Sequence, residues 1–231
     1  MSTVAVIDYG MGNLHSIAKA LQHVSSDTKI LVTSDPEKIC SASRVVFPGV
    51  GAIRDCMAAL HRYQLIGVLT DVAKTKPLLG ICLGLQALLE SSDESGQTQC
   101  MGIFPGEVVH FPESLVGVDG VSLKIPHMGW NQVYQREPHP LWKDIPQYSR
   151  FYFVHSYFAE LKEINHVMAT TDYPDPFACA IGRGNIFAVQ FHPEKSQQVG
   201  LRFLSNFLDW DGGMGLGGIK KGKMIEGNPC Y

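Results

Sequence analysis

The stretch Pro77-Leu-Leu-Gly-Ile-Cys-Leu-Gly-Leu-Gln86 sets a short apolar run, Leu78–Ile81, against a cysteine with glycine two residues before and two residues after it. The run is short, continuous and apolar, which reads as a buried strand, and a helix is expected after it over Leu85–Glu90. A strand entering a helix through one sharp turn is the repeating unit of parallel α/β sheets. The same unit recurs upstream. Val4–Ile7, Ile30–Val32 and Val45–Phe47 read as buried strands. Leu14, Ile17, Ala18 and Leu21 recur at i, i+3, i+4 and i+7, one face of a helix. Further helices are expected from about Ala52 to Leu60 and from about Leu65 to Ala73. The fold class expected is therefore α/β: a doubly wound, mostly parallel sheet of flavodoxin-like type, with helices on both faces.

The second half changes character. Short strands are expected at Glu107–Phe111, Gln132–Tyr134, Phe151–Val154, Val167–Thr171 and Ile186–Val189, which suggests an antiparallel extension of the main sheet. A last helix is expected from about Ser196 to Trp210, its apolar face built from Phe203, Leu204, Phe207 and Leu208. After Trp210 the chain turns to Asp-Gly-Gly-Met-Gly-Leu-Gly-Gly and then to lysine-rich sequence. Such a stretch buries too little surface to offset its backbone entropy. One domain over residues 1–210 and a flexible tail over 211–231 are expected.

Composition narrows the class. The 231 residues suffice for one domain with a sizeable core. Charged residues at 18% against 45% hydrophobic exclude a disordered chain. A net charge of −3 with no basic stripe argues against a nucleic-acid partner. No apolar run approaches the ~20 residues of a membrane span, and Val4–Ile7 opens the chain without the flanks of a signal peptide. A cytoplasmic location and no membrane association are expected. The six cysteines (40, 56, 82, 100, 179 and 230) form no C-x-x-C pair, so reduced thiols are expected, mostly as small buried hydrophobes.

Cys82 stands apart. Gly80-x-Cys82-x-Gly84 is the cysteine form of the nucleophile elbow, in which the sharp turn leaves no room for neighbouring side chains. At pH 7 a free thiol is only about 3% thiolate. A position at a helix N-terminus favours the reactive anion. Thiol acyl transfer also needs a base and a group that orients it. Phe187-Ala-Val-Gln-Phe-His-Pro-Glu194 offers both: His192 and Glu194 follow a strand, and in an extended chain residues i and i+2 point the same way. Of the other histidines, His155 at a strand end is the serious rival. Val45-Val-Phe-Pro-Gly-Val-Gly-Ala52 runs a strand into a glycine-rich turn. It lacks the lysine of a phosphate loop and suits backbone amides that face a tetrahedral oxyanion. No metal-ligand spacing is present.

Pro48-Gly-Val-Gly51, Gly80-Ile-Cys-Leu-Gly-Leu-Gln86 and Phe191-His-Pro-Glu194 resemble the three signatures of class I (triad) glutamine amidotransferases. Asp8-Tyr-Gly-Met-Gly-Asn13, Pro126-His-Met-Gly-Trp-Asn131, Phe151-Tyr-Phe-Val-His-Ser156 and His192-Pro-Glu-Lys-Ser196 bring the resemblance nearest to the glutaminase subunits of imidazole glycerol phosphate synthases, over residues 4 to about 210. The Gly/Lys tail departs from the compact end of that family. The resemblance implies Cys82 as nucleophile, His192 as base and Glu194 as its orienter. It implies oxyanion amides from Gly49, Val50, Gly51 and Leu83, and glutamine binding by Gln86, His155 and Ser156. Trp130, Tyr152 and Lys195 would lie at the interface with a (β/α)8-barrel cyclase, which receives ammonia in a heterodimer and forms imidazole glycerol phosphate and AICAR in histidine biosynthesis. No cofactor is implied. A glutaminase for another acceptor such as a sugar, a stand-alone cysteine hydrolase, and a silent regulatory subunit on the same fold remain open from sequence.

Overall fold

The computed structural model describes residues 2–117 and 120–213. In chain order the first half comprises β1 (Ser2–Ile7), α1 (Leu14–Val24), β2 (Thr28–Thr33), α2 (Pro36–Ser41), β3 (Arg44–Gly49), α3 (Ile53–Arg62), α4 (Leu65–Thr75), β4 (Leu78–Cys82) and α5 (Leu83–Gln86). The second half comprises β5 (Ser91–Ser92), β6 (Thr98–Gln99), β7 (Gly106–His110), β8 (His127–Gln132), β9 (Tyr134–Gln135), β10 (Arg150–His155), β11 (Tyr157–Leu161), β12 (Val167–Asp172), β13 (Pro176–Arg183), β14 (Ile186–Val189) and α6 (Gln197–Asp209).

The large sheet runs β2-β1-β3-β4-β14-β13-β11-β7-β5-β6, with β12 on β13 and β9 on β12. Its first five strands pair in parallel. From β14 to β13, β11 and β7 the pairing is antiparallel, which is the extension expected from sequence. β8 and β10 form a separate two-stranded ribbon.

Strand alternation divides the core into two layers. Ala5, Ile7, Val45 and Phe47 join Ile53, Leu60, Leu65 and Leu69 of α3 and α4 in one. Val4, Val6 and Val46 join Ile17 and Leu21 of α1 and Phe203, Leu204 and Phe207 of α6 in the other. Both faces of the parallel strands are thus dry, which is why these strands read as continuous apolar runs. α2 begins where Asp35 accepts from the Glu37 amide (3.0 Å) and Pro36 occupies the first turn.

Three sequence expectations change. Gln132–Tyr134 is not one strand: β8 ends and β9 begins there, because the Val133 amide donates to Ser149 (3.0 Å) between them. The helix expected over Leu85–Glu90 is the single turn α5. The carbonyls of Ala87, Leu88, Leu89 and Glu90 accept from amides of residues 100–104, so the partners of a continuing helix are already taken. Cys40 is disulfide-bonded, whereas Cys56, Cys82, Cys100 and Cys179 are free thiols; the pairing left no trace in cysteine spacing. The expected tail lies outside the described residues from 214 onward. Asp211–Gly213 remain docked, with Gly212 buried and the Trp210 indole donating to the Gly213 carbonyl (2.6 Å).

Two glycines of similar sequence context differ in what surrounds them. A Cβ on Gly84 would collide with the Phe47 carbonyl, whereas one on Gly67, exposed in α4, would meet nothing within 4 Å. Denaturant unfolding should show Gly84→Ala destabilised by at least ~2 kcal/mol and Gly67→Ala stabilised by about 0.5–1 kcal/mol. Equal effects at the two sites would contradict the close approach at Gly84.

Candidate active site

β4 ends at Cys82, whose register partner on β3 is Gly49. Cys82 takes φ 54° and ψ −109°, a region that L-residues occupy only when the surroundings hold them there. The surroundings are close-packed backbone and side chains. Side chains on Gly80 and Gly84 would strike Ala188 and the Phe47 carbonyl, and one on Gly49 would strike Leu83 and the Tyr9 hydroxyl. The elbow read from sequence is therefore present. The helix behind it is one turn long and carries little dipole, so a thiolate here depends on side chains and nearby amides.

His192 and Glu194 follow β14 on the adjoining strand. The His192 Nδ1 lies 2.9 Å from Glu194 Oε1, both side chains almost fully buried. The expected geometry is corrected in one respect. The backbone is not extended at Pro193–Lys195 but forms a 3-10 turn, closed by Lys195 N donating to the His192 carbonyl (3.1 Å) and by Ser196 Oγ donating to the same carbonyl (2.6 Å). The turn, not strand alternation, brings the two side chains together. Nε2 of His192 makes no hydrogen bond within ordinary limits, yet it is close enough to Cys82 for charges to stabilise one another. Burial alone would push this imidazole down. Cys82 and then the Glu194 carboxylate outweigh burial and lift it to about 10.

Cys82, His192, Val50, Gly51, Leu83, Gln86, His155 and Ser156 line one cavity of about 280 Å³, together with Glu94, Val154 and Tyr157. Eight residues singled out from sequence thus meet in one place. Gly49 stands beside it as the Cys82 register partner, and Glu194 behind His192. A larger depression of about 530 Å³, lined by His23, Asp144 and Arg202 among others, shares none of these residues. Gln86 spends both N–H groups, on the Tyr157 carbonyl (2.9 Å) and on Gln190 Oε1 (3.1 Å), which leaves its own oxygen as the acceptor it can offer.

His155 is excluded as the base by its partners. Its Nδ1 is 2.8 Å from the Tyr157 carbonyl, a pure acceptor, so the proton resides there. Its Nε2 then accepts from His127 Nδ1 (3.0 Å), and His127 Nε2 accepts from Asn131 (3.2 Å). Burial pushes His155 down to about 3 and His127 down to about 4, so both remain neutral. Trp130 and Tyr152 pair across the β8–β10 ribbon with rings 6.1 Å apart, and Lys195 Nζ lies 5.8 Å from the Tyr152 ring. The three residues assigned to one face from the resemblance are neighbours. Among the described residues no cluster of His, Cys, Asp or Glu is arranged to hold a metal ion, and no helix is long and apolar enough to cross a membrane.

Comparison with known proteins meets this geometry. The class-I glutamine amidotransferase family model matches residues 5–210. The chain is 61% identical to imidazole glycerol phosphate synthase subunit HisH of Methylococcus capsulatus, across 91% of this chain and 98% of that protein. This chain belongs to the class-I glutamine amidotransferases, in their HisH branch. The subunit of the same name from Nitrosococcus oceani is 58% identical, across 92% and 99% of the two chains. PurLQS from Thermotoga maritima superposes with a TM-score of 0.65 at 16% identity, across 90% of this chain and 98% of that one, and that likeness speaks for the fold alone. The expectations of family, fold class and enzyme class from sequence therefore hold for this amidotransferase.

Sequence reading missed three members of the site. Gln190 is fully buried and donates from Nε2 to Cys82 Sγ (3.6 Å); a lone amide inside Phe187-Ala-Val-Gln-Phe191 was its signal. Glu94 lines the cavity and accepts from the Ile53 amide (2.8 Å). Tyr9 donates to the Pro48 carbonyl (2.9 Å) behind the glycine turn.

The neutral histidines have a consequence for stability. His127 and His139 sit at about 4 and His155 at about 3, with burial as the main cause, below the ~6.5 of an unfolded chain. The unfolded state therefore binds more protons below pH 6.5, and stability is lost on acidification. The loss is roughly 1.5 kcal/mol per imidazole between pH 6.5 and pH 5. Denaturant midpoints measured across that window should fall accordingly; a flat profile would contradict neutral burial.

Proposed function

We propose that this chain hydrolyses glutamine to glutamate and ammonia through Cys82, His192 and Glu194, and passes the ammonia to a cyclase partner that makes imidazole glycerol phosphate. The observation that carries this reading is His192, held on one side by Glu194 at 2.9 Å and facing the strained Cys82 on the other. Cys82 Sγ attacks the side-chain carboxamide carbon. The oxyanion that forms is met by amides of the Gly49–Gly51 turn and of Leu83, each such donor being worth about 3–4 kcal/mol. His192 delivers its proton to the departing nitrogen, ammonia leaves and a thioester remains. His192 then takes a proton from water, which attacks the thioester and releases glutamate. Glu194 keeps the imidazole oriented and offsets its charge.

Several features support glutamine as the substrate. The cavity volume suits one amino acid, and its walls carry the free Gln86 oxygen, Glu94 and Ser156. The acceptor and the carboxylate suit an ammonium group. The interface proposed for a (β/α)8-barrel partner, forming a heterodimer in the cytoplasm, is the face carrying Trp130, Tyr152 and Lys195. Met128, 62% exposed, and Trp130, 40% exposed, are two residues apart on one strand of that face, as apolar contacts awaiting a partner would be.

The turn at Pro48–Gly51 suits a resting state. Tyr9 holds the Pro48 carbonyl, while Val50 is 38% exposed between two glycines. Rotation of the peptide units around it would exchange a carbonyl for an amide at the oxyanion site at little steric cost. A domain boundary near residue 210, with the remaining tail outside catalysis, completes the proposal.

A diazo-ketone analogue of glutamine should label Cys82 and abolish turnover. Cys56 and Cys100, pushed up by burial to about 12 and 11, should stay unlabelled. Labelling elsewhere with Cys82 intact would sink the assignment. His192→Ala should lower glutaminase kcat by ~10³-fold or more and Glu194→Ala by less, while ammonia supplied directly still supports the cyclase reaction. The isolated chain should turn over at least about a hundredfold more slowly than the complex with acceptor bound; equal kcat in both would rule out a gated turn.

A further inference from the structure

Gln190 lies at the carboxyl end of β14, two residues before His192, and no solvent reaches it. Its side chain belongs to a chain of hydrogen bonds whose direction is set at one end. The Tyr157 carbonyl can only accept, so the Gln86 group facing it at 2.9 Å is the NH2. That same NH2 faces Gln190 at 3.1 Å, so the Gln190 group there is the oxygen. The remaining end of Gln190, its NH2, is then aimed at Cys82 Sγ at 3.6 Å. Neither amide can reverse. A reversed Gln86 would set oxygen against the Tyr157 carbonyl, and a reversed Gln190 would set NH2 against NH2.

We propose that Gln190 is a further catalytic contact of the nucleophile: its amide N–H donates to Cys82 Sγ and favours the anionic sulfur, a role separate from holding Gln86. A thiol whose hydrogen pointed at this NH2 would meet a donor, so the arrangement suits sulfur as acceptor with the proton on His192. A donor held toward a developing or resting anion in a dry site is worth far more than in water. α5 is too short to supply such stabilisation through its dipole, and the N–H of Gln190 stands in that place. The inference rests on Cys82 being the nucleophile, as proposed above.

The test compares Gln190→Met with Gln86→Met in the full chain, alone and with its cyclase partner. Met has nearly the volume of Gln and no N–H. The rate of alkylation of Cys82 by iodoacetamide is followed by peptide mass spectrometry from pH 5 to pH 10, beside glutaminase kinetics of the complex. Gln190→Met should move the midpoint of alkylation upward by about one pH unit and lower kcat about tenfold, with KM changed less than threefold. Gln86→Met, which leaves the Gln190 amide beside the sulfur, should change KM more than it moves the midpoint. Ammonia-dependent cyclase activity of each complex reports that the subunit is folded and docked. If Gln190→Met does not fold, Gln190→Glu replaces the donor with an anion and should displace the midpoint upward as well. A wild-type midpoint in the folded Gln190 variant overturns the proposal. So does an equal displacement in Gln86→Met, which would make Gln190 a mere prop for Gln86. Failure of the underlying reading is distinct: wild-type enzyme would then keep its glutaminase turnover after Cys82 is alkylated.

Discussion

The approach of two backbones, β3 and the turn after β4, is the constraint on which the site depends. Gly84 lies where any side chain would enter the Phe47 carbonyl, and Gly49 lies against Leu83 and the Tyr9 hydroxyl. Only glycine permits this contact, and the contact has two consequences at once. It forces Cys82 into positive φ, which lifts the thiol out of the sheet at its carboxyl edge. It also sets the Val50–Gly51 peptide units beside Cys82 and Leu83 in one cavity. The proposed nucleophile and the proposed oxyanion donors are therefore placed by a single packing event. The strain at Cys82, of order 1–3 kcal/mol, is sustained by the two dry layers of core on either side of β4.

Three histidines near the cavity show how environment assigns roles to one residue type. His155 and His127 are buried with neutral partners, and burial pushes both down. His192 is equally buried, but Cys82 and the Glu194 carboxylate lie beside it, and their attraction outweighs desolvation. Desolvation and opposite charge act against each other on a histidine, so the sign of the shift reports which neighbours are charged. His192 differs from His155 in these two neighbours, Cys82 and Glu194, neither of which acts on His155. His155 instead ends a relay of neutral donors that runs from Asn131 through His127 to the Tyr157 carbonyl, and it serves the cavity wall.

Much of this was legible in the sequence because it is local. Val4–Ile7, Val45–Phe47 and Leu78–Ile81 announced the parallel strands, since burial on both faces leaves no alternation to misread. Gly80-x-Cys82-x-Gly84 announced the elbow, since a tight turn demands glycine within two residues. What sequence missed is long-range or chemically bland. β13 is the longest strand, yet Ala178, Cys179 and Ala180 at its centre have little strand preference of their own and acquire it by pairing with β12 and β14. The helix expected after Cys82 stops at one turn because residues 100–104, not visible from the local pattern, take its carbonyls. His192 and Glu194 were paired by an argument about extended chains, whereas a 3-10 turn does the pairing. Gln190 was passed over within an apolar strand, although an amide among Phe and Val is the signal of a buried hydrogen-bond requirement.

The face proposed for the partner is separated from His192, the proposed base, by very little structure. The carbonyl of Tyr152 accepts from the His192 amide at 2.9 Å, and the Tyr152 amide donates to Ser196 Oγ at 3.0 Å. Ser196 Oγ donates in turn to the His192 carbonyl. β10 is thus tied to both backbone groups of His192, one directly and one through a hydroxyl. On the outer side of the same strand Tyr152 meets Trp130 and Lys195. A partner docked on this aromatic pair would bear on a strand whose hydrogen bonds hold the His192 backbone, with no intervening loop. The glycine turn is held separately, by Tyr9 from the opposite layer of the core.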